Sequence, residues 1–266
     1  MELKRIDILL KEKGLVKSRE LAQKAISKKI VKYNGTFIKK ASMKVPINAN
    51  LELIDEPLKY VSRAGYKLEK AINTFNIDLK NKIAIDMGAS TGGFTDCMLQ
   101  NGIKKVYSID VGHSQLDEKL INNSKVINME NINIRYLDLN KIEDDIDFIS
   151  IDVSFISITK ILNVAEKLLN NDGKIVALIK PQFEIGRQFL GKKAIVKDKK
   201  YHLKAVNTIK DFLKTTKLNL VDIDYSPIKG SRGNIEFLAL ISTSNPTFDI
   251  DKKIKEIINN SHISNY

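Results

Sequence analysis

The chain has 266 residues, 43% of them apolar, with 44 Lys+Arg against 32 Asp+Glu for a net charge of +12. That length accommodates one α/β domain with a small second module, and a single cysteine, Cys97, excludes a disulfide framework. No apolar run reaches the ~20 residues that cross a bilayer, and the start has no uncharged apolar segment followed by a cleavage site, so the expectation is a cytoplasmic monomer with no membrane partner.

Positive charge is concentrated at the front, where residues 1–60 hold 14 Lys+Arg and 7 Asp+Glu. Ile6, Leu9 and Leu10 recur at helical spacing and Gly14 stops the helix. Ser18 is an N-cap for a second helix that buries Leu21, Ala22, Ala25 and Ile26. Residues 30–33 and 36–38 flank Asn34-Gly35, the signature of a hairpin with a type I′ turn. Residues 45–54 read as a last strand pair or extended run. Arg5, Lys17, Arg19, Lys24, Lys28, Lys29 and Lys32 decorate this small α+β unit. Cations at this density suit a polyanion, held through phosphates with salt-dependent affinity rather than sequence readout. Arg5-Ile6-Asp7, Leu15 to Arg19, Ala22 and Val31 to Gly35 resemble the S-four-type RNA-binding module, over about residues 1–55. Pro57 then interrupts regular structure, making 56–64 a linker.

From residue 65 to 244 helices and strands alternate, the pattern of a mainly parallel sheet. Strands are predicted at 83–87, 105–110, 125–129, 147–152, 174–180, 219–225 and 235–242, and helices at 65–75, 93–101, 115–122, 157–169 and 199–214. Residues 245–266 form a tail with a short helix near 250–259. Seven strands with a late strand pair suggest an α/β fold class, resembling the Rossmann-like class I methyltransferase sheet of seven mostly parallel strands, beside the small N-terminal α+β domain. Asp86-Met87-Gly88-Ala89-Ser90-Thr91-Gly92-Gly93 runs from a buried strand into a glycine turn. This departs from the G-x-G-x-x-G turn that brings amides onto a pyrophosphate. An acid directly before the turn disfavours a phosphate there and suits S-adenosylmethionine, which is cationic and carries none. The predicted cofactor contacts are Asp86, Gly88, Ser90, Thr91, Gly92, Gly93, Asp110 at the end of the next strand for the ribose, and Glu130 after the third strand for the adenine. Cys97 falls on the following helix, where burial is its expected role, which disfavours a cysteine-nucleophile base methylase.

Two more apolar strands end in charge: 149–151 leads to Asp152, and 175–179 leads to Lys180, halted by Pro181. Ligands in open α/β sheets sit beyond the carboxyl ends of the strands, so both side chains are expected at the cofactor edge. Together with residues 61–68, 86–95, 110–112, 131–135, 152–157, 180–184 and 233–237, these motifs are similar to the FtsJ-type RNA 2′-O-methyltransferases and, in order along almost the whole chain, to the TlyA (hemolysin-A-like) family. The resemblance implies a catalytic tetrad of Lys67, Asp152, Lys180 and Glu236, and 2′-O-methylation of cytidine in ribosomal RNA within a ribosomal subunit. A ribose hydroxyl must lose its proton as it attacks, and Lys180 serves either as the base, if neutral, or as a cation stabilising the alkoxide. The three histidines lack metal-ligand spacing, so no metal is expected. The stretches 186–187, 191–193 and 231–233 read as basic loops for RNA phosphates or as plain surface turns. A non-catalytic ribosome-assembly factor and, more remotely, a haemolysin are the rival readings; an intact tetrad speaks against the first, and the lack of a spanning or strongly amphipathic membrane segment against the second.

Overall fold

The computed structural model describes residues 2–28, 30–54, 58–191, 194–230 and 232–263. The chain divides into two compact units, residues 1–59 and 60–266. In the first, strand β1 (Leu3–Arg5) leads into helix α1 (Ile6–Glu12), and α2 (Arg19–Ser27) follows. Ser18 caps α2, its hydroxyl accepting the Leu21 amide at 3.2 Å, as the sequence predicts. Strands β2 (Val31–Tyr33) and β3 (Thr36–Phe37) form the hairpin, with φ of 49° at Asn34 and 75° at Gly35, which is the conformation a type I′ turn demands. The extended run 45–54 divides into β4 (Lys44–Pro46), antiparallel to β1, and β5 (Leu51–Leu53), antiparallel to β2. The two strands thus join different small sheets instead of pairing with each other. Ile6, Leu10, Ala22, Ala25, Ile26 and Val31 fill the core between the helices and these strands.

The second unit opens with α3 (Gly65–Thr74) and alternates through β6 (Ile83–Met87), α4 (Gly93–Gln100), β7 (Lys105–Ile109), α5 (Glu118–Ile121), β8 (Val126–Met129), β9 (Ile146–Ile151), α6 (Thr159–Leu168), β10 (Leu169–Ile179), α7 (Pro181–Glu184), α8 (Lys199–Leu213), β11 (Asn219–Tyr225), β12 (Phe237–Ser242) and α9 (Ile250–Ile263). The seven strands order as β11-β12-β10-β9-β6-β7-β8, with β12 antiparallel to both neighbours and every other pairing parallel. Side chains alternate across the strands. On one face Met87, Ile109, Ile149 and Ile151 pack with Ile161 of α6, Val206 of α8 and Ile254 of α9. On the other, Ala84, Val106 and Phe148 pack with Leu68 of α3 and with Phe94 and Met98 of α4.

Strand β6 starts the sheet, the chain adds β7 and β8 on one side, and then returns to add β9 on the other. The crevice where the order reverses lies between the carboxyl ends of β6 and β9, the place where open α/β sheets bind ligands. Gly88 and Asp152 meet there: the Asp152 amide donates to the Met87 carbonyl at 3.0 Å. No helix among the described residues is long and apolar enough to cross a membrane.

Candidate active site

Four ionisable side chains, brought from as far as 169 residues apart, are gathered at the carboxyl edge of the sheet. Lys67 lies in the first turn of α3, and its Nζ donates to Oε2 of Glu236 at 2.6 Å. Glu236 directly precedes β12, where close approach of the backbone at Gly230 leaves room for it; a Cβ at 230 would lie 2.4 Å from Glu236 Oε1. Lys180 directly follows β10, which stops because Pro181 begins a helix in place of continuing the strand. Its Nζ lies 2.6 Å from Asp152 Oδ1 as an ion pair outside hydrogen-bond angles, and donates to Ser154 Oγ at 2.9 Å. Lys67, Lys180 and Glu236 are buried to 8%, 7% and 3% exposure. Ions so far from water persist only when paired, which is what the two lysine–carboxylate contacts provide.

Three cavities adjoin this cluster. One of about 500 Å³ runs beside Gly88, Ser90 and Asp110 and is walled by Val111, Ile132 and Ile156. A smaller polar one of about 170 Å³ is bounded by Ser62, Thr91, Gly93, Asp152 and Lys180. A third, of about 420 Å³, holds Lys67, Lys180, Glu236 and Arg232. Ser154 borders all three, and Lys180 borders the second and third. The donor set fits S-adenosylmethionine. An apolar slot with an acid at its rim suits an adenosine, and a polar recess beside the buried, incompletely bonded Asp152 Oδ1 suits a cationic amino acid end.

The sequence-predicted cofactor residues divide by position. Gly88, Ser90 and Asp110 line the large cavity, and Ser90, Thr91 and Gly93 the small one. Asp110 is also braced, accepting the Ser90 amide at 2.8 Å and the Gly112 amide at 2.7 Å. Three others depart from the expectation of direct contact. Asp86 is sealed below the turn with 0% exposure, and its oxygens accept the hydroxyls of Thr95 at 2.7 Å and Ser150 at 2.9 Å. Burial, with the nearby Asp152 adding to it, pushes the Asp86 carboxyl up to about 6. Glu130 accepts the amides of Ser114, Gln115 and Leu116, so it shapes the loop beside the slot; these bonds hold its carboxyl below the usual range. Gly92, at φ 91°, leaves the space that Leu120 and Leu116 fill.

Sequence reasoning missed Ser62, Ser154 and Phe155. Phe155 is 83% exposed, has φ of 67° and packs against Phe183 with ring centroids 5.3 Å apart. A large apolar side chain in the left-handed region at a cavity mouth is a functional signal, but nothing in the local residue pattern announces that conformation.

In the first unit, Arg5 and Arg19 both bind Asp7, a carboxylate with 0% exposure. Arg5 donates through Nε and Nη2 at 3.0 and 3.1 Å, Arg19 through Nε at 2.8 Å, and Gln23 adds a fourth side-chain bond at 3.0 Å. The guanidinium bonds hold the Asp7 carboxyl far below the usual range against its burial. Lys17, Lys24 and Lys28 are exposed, and Lys32 lies over the Phe37 ring at 4.9 Å. Lys29, with Lys192, Lys193 and Ser231 of the basic loops, lies outside the described residues.

The sequence pattern of FtsJ-like methyltransferases matches residues 60–242. The chain belongs to the FtsJ-like methyltransferase family. An S4 domain matches residues 4–51. The FtsJ-like chain is 43% identical to Hemolysin A of Brachyspira hyodysenteriae, over 88% of this chain and 98% of that one. It is 32% identical to the 16S/23S rRNA (cytidine-2′-O)-methyltransferase TlyA of Mycobacterium tuberculosis, over 90% of each. A solved structure from Streptococcus thermophilus described as a hemolysin is 43% identical, with a TM-score of 0.77 over 99% of this chain and 97% of that chain. This FtsJ-like protein is an S-adenosylmethionine-dependent methyltransferase that carries an S4 domain.

Proposed function

We propose that the protein methylates the ribose 2′-hydroxyl of a cytidine in ribosomal RNA, with Lys67, Asp152, Lys180 and Glu236 as its catalytic group. One observation carries this reading: Lys180 stands in the wall between the recess suited to the methyl donor and the larger cavity that holds the Lys67–Glu236 pair. The substrate reading is supported by the S4 domain and by the activity named for the mycobacterial relative. When bound, S-adenosylmethionine supplies an electrophilic methyl group on a sulfonium. The protein's part is to present a hydroxyl oxygen in line with it and to manage the proton. Lys180, fixed between Asp152 and Ser154, meets that oxygen and stabilises its developing negative charge in a water-poor site. Lys180 hands one ammonium proton to Asp152 as it takes up the hydroxyl proton, so the Asp152 carboxylate is the final acceptor and Lys180 stays charged. Lys67, fixed by Glu236, supplies a second cation on the substrate side. Arg232 at the rim and the exposed Lys17, Lys24 and Lys28 in the S4 domain hold phosphates, whereas Arg5 and Arg19, expected to do so from the sequence, are engaged by Asp7.

The test is transfer of a labelled methyl group to rRNA, with mass mapping of 2′-O-methyl sites. Wild-type protein modifies a cytidine ribose. Lys180→Ala lowers turnover by roughly 10²-fold or more, the scale of a lost proton-transfer or oxyanion group, and leaves S-adenosylmethionine binding within about twofold of wild type on the same reasoning. Full turnover by the variant removes Lys180 from the chemistry; methylation of a base places the substrate elsewhere.

A further inference from the structure

Resting on the methyl-transfer reading, we infer that Glu184 is a positioning residue that sets the loop carrying Asp152, Ser154 and Phe155 against the strand end carrying Lys180. The two segments leave adjacent parallel strands, β9 and β10. They are laced at three levels. At the base, Lys180 pairs with Asp152 at 2.6 Å and bonds Ser154 at 2.9 Å. In the middle, the rings of Phe155 and Phe183 pack. At the far end, Glu184 accepts the Ser157 hydroxyl at 2.5 Å and the Ile158 amide at 3.0 Å.

The first two levels belong to residues that border the cavities, whereas Glu184 borders none of the three. It can act on the reaction only through the loop. That loop needs a tether, because Phe155 at φ 67° holds a left-handed backbone conformation that neighbouring groups must keep in place. Ile158 is also the N-cap of α6 and has no side-chain cap of its own, so Glu184 satisfies that amide from a neighbouring segment. A helix cap alone and a loop tether make different predictions. Burial pushes the Glu184 carboxyl above its usual range, with no cation paired to it among the described residues. The tether therefore rests on hydrogen bonds rather than on charge, and a neutral amide of the same shape can replace it: Gln accepts the Ile158 amide through its carbonyl and donates to Ser157.

The experiment compares full-length wild type, Glu184→Ala, Glu184→Gln and Ser157→Ala by labelled-methyl transfer to rRNA, S-adenosylhomocysteine titration, thermal unfolding and amide hydrogen exchange. Expected for Glu184→Ala are a kcat lower by roughly tenfold or more, the scale of a small misplacement at a reacting centre, unchanged cofactor affinity, and faster exchange confined to 153–158. Glu184→Gln restores kcat and protection, and Ser157→Ala reproduces part of the loss. A drop in unfolding temperature with kcat intact makes Glu184 a helix cap only and overturns the inference. So does a Gln variant as impaired as Ala. Absence of transfer by the wild type instead defeats the methyl-transfer reading, while the exchange data still decide whether Glu184 tethers the loop.

Discussion

At position 86 a carboxylate shut away from water is held by two hydroxyls, with no cation paired to it among the described residues. Its folded-state titration near 6 lies above the ordinary value of 3.8, so the proton is bound more tightly in the folded state. The resulting stability is complete below about pH 4 and is lost as pH rises through 6. Asp86→Asn removes that loss. Relative to wild type, the variant gains on the order of 2–3 kcal/mol between pH 4 and 7, since every tenfold difference in proton affinity is worth ~1.4 kcal/mol. Urea unfolding at several pH values reads the gain. His202 works in the opposite sense. It is buried 2.8 Å from His262 and lowered to about 4, so it withdraws stability as pH falls from 6.5 toward 4. Comparing Asp86→Asn with wild type at each pH cancels it. Residues whose chemistry follows from strand ends were legible in the sequence: Asp152 and Lys180 each close an apolar run, and Pro181 fixes where the second stops. Phe155 and Glu184 were not, because their roles depend on a left-handed torsion and on which loops the sheet makes neighbours.

The elements that position the site follow from short-range signals. The seven strands and the helices after them were predicted close to where they lie, since buried strands read as continuous apolar runs and helices keep their period. What escaped prediction is short or irregular. Helix α5 is a single turn over 118–121, β10 starts early at 169 with a register shift before 174, and 134–136 and 139–141 are tight 3₁₀ turns. Such pieces are set by packing and not by periodicity. The turn after β6 gives the sharpest element-level test. Gly88 has φ of 89°, and a Cβ there would lie 2.8 Å from the Asp152 carbonyl oxygen. Gly88→Ala must therefore shift the turn or the loop facing it. S-adenosylhomocysteine affinity is expected to fall by roughly 10- to 100-fold, the equivalent of ~1–3 kcal/mol of strain, read by calorimetric titration.

At the scale of the molecule the chain forms two compact units, each with its own core, and the proposed function gives RNA binding to the first and chemistry to the second. Removing residues 1–59 is expected to leave S-adenosylhomocysteine affinity unchanged and to weaken rRNA binding. The slope of log Kd against log salt should also flatten, since every phosphate no longer neutralised takes roughly 0.9 or less from it. An unaltered slope assigns RNA binding to the remaining 207 residues instead. The last strand of the sheet in chain order carries a consequence of its own. Strand β12 travels against its neighbours, so its entrance, not its exit, lies at the working rim. Glu236 stands at that entrance. Were β12 to run with the others over its 6 residues, the acid would sit roughly 20 Å away at the far rim, at ~3.3 Å per residue, and Lys67 would face the substrate with no counter-ion. One reversal of chain direction therefore completes the second lysine–acid couple.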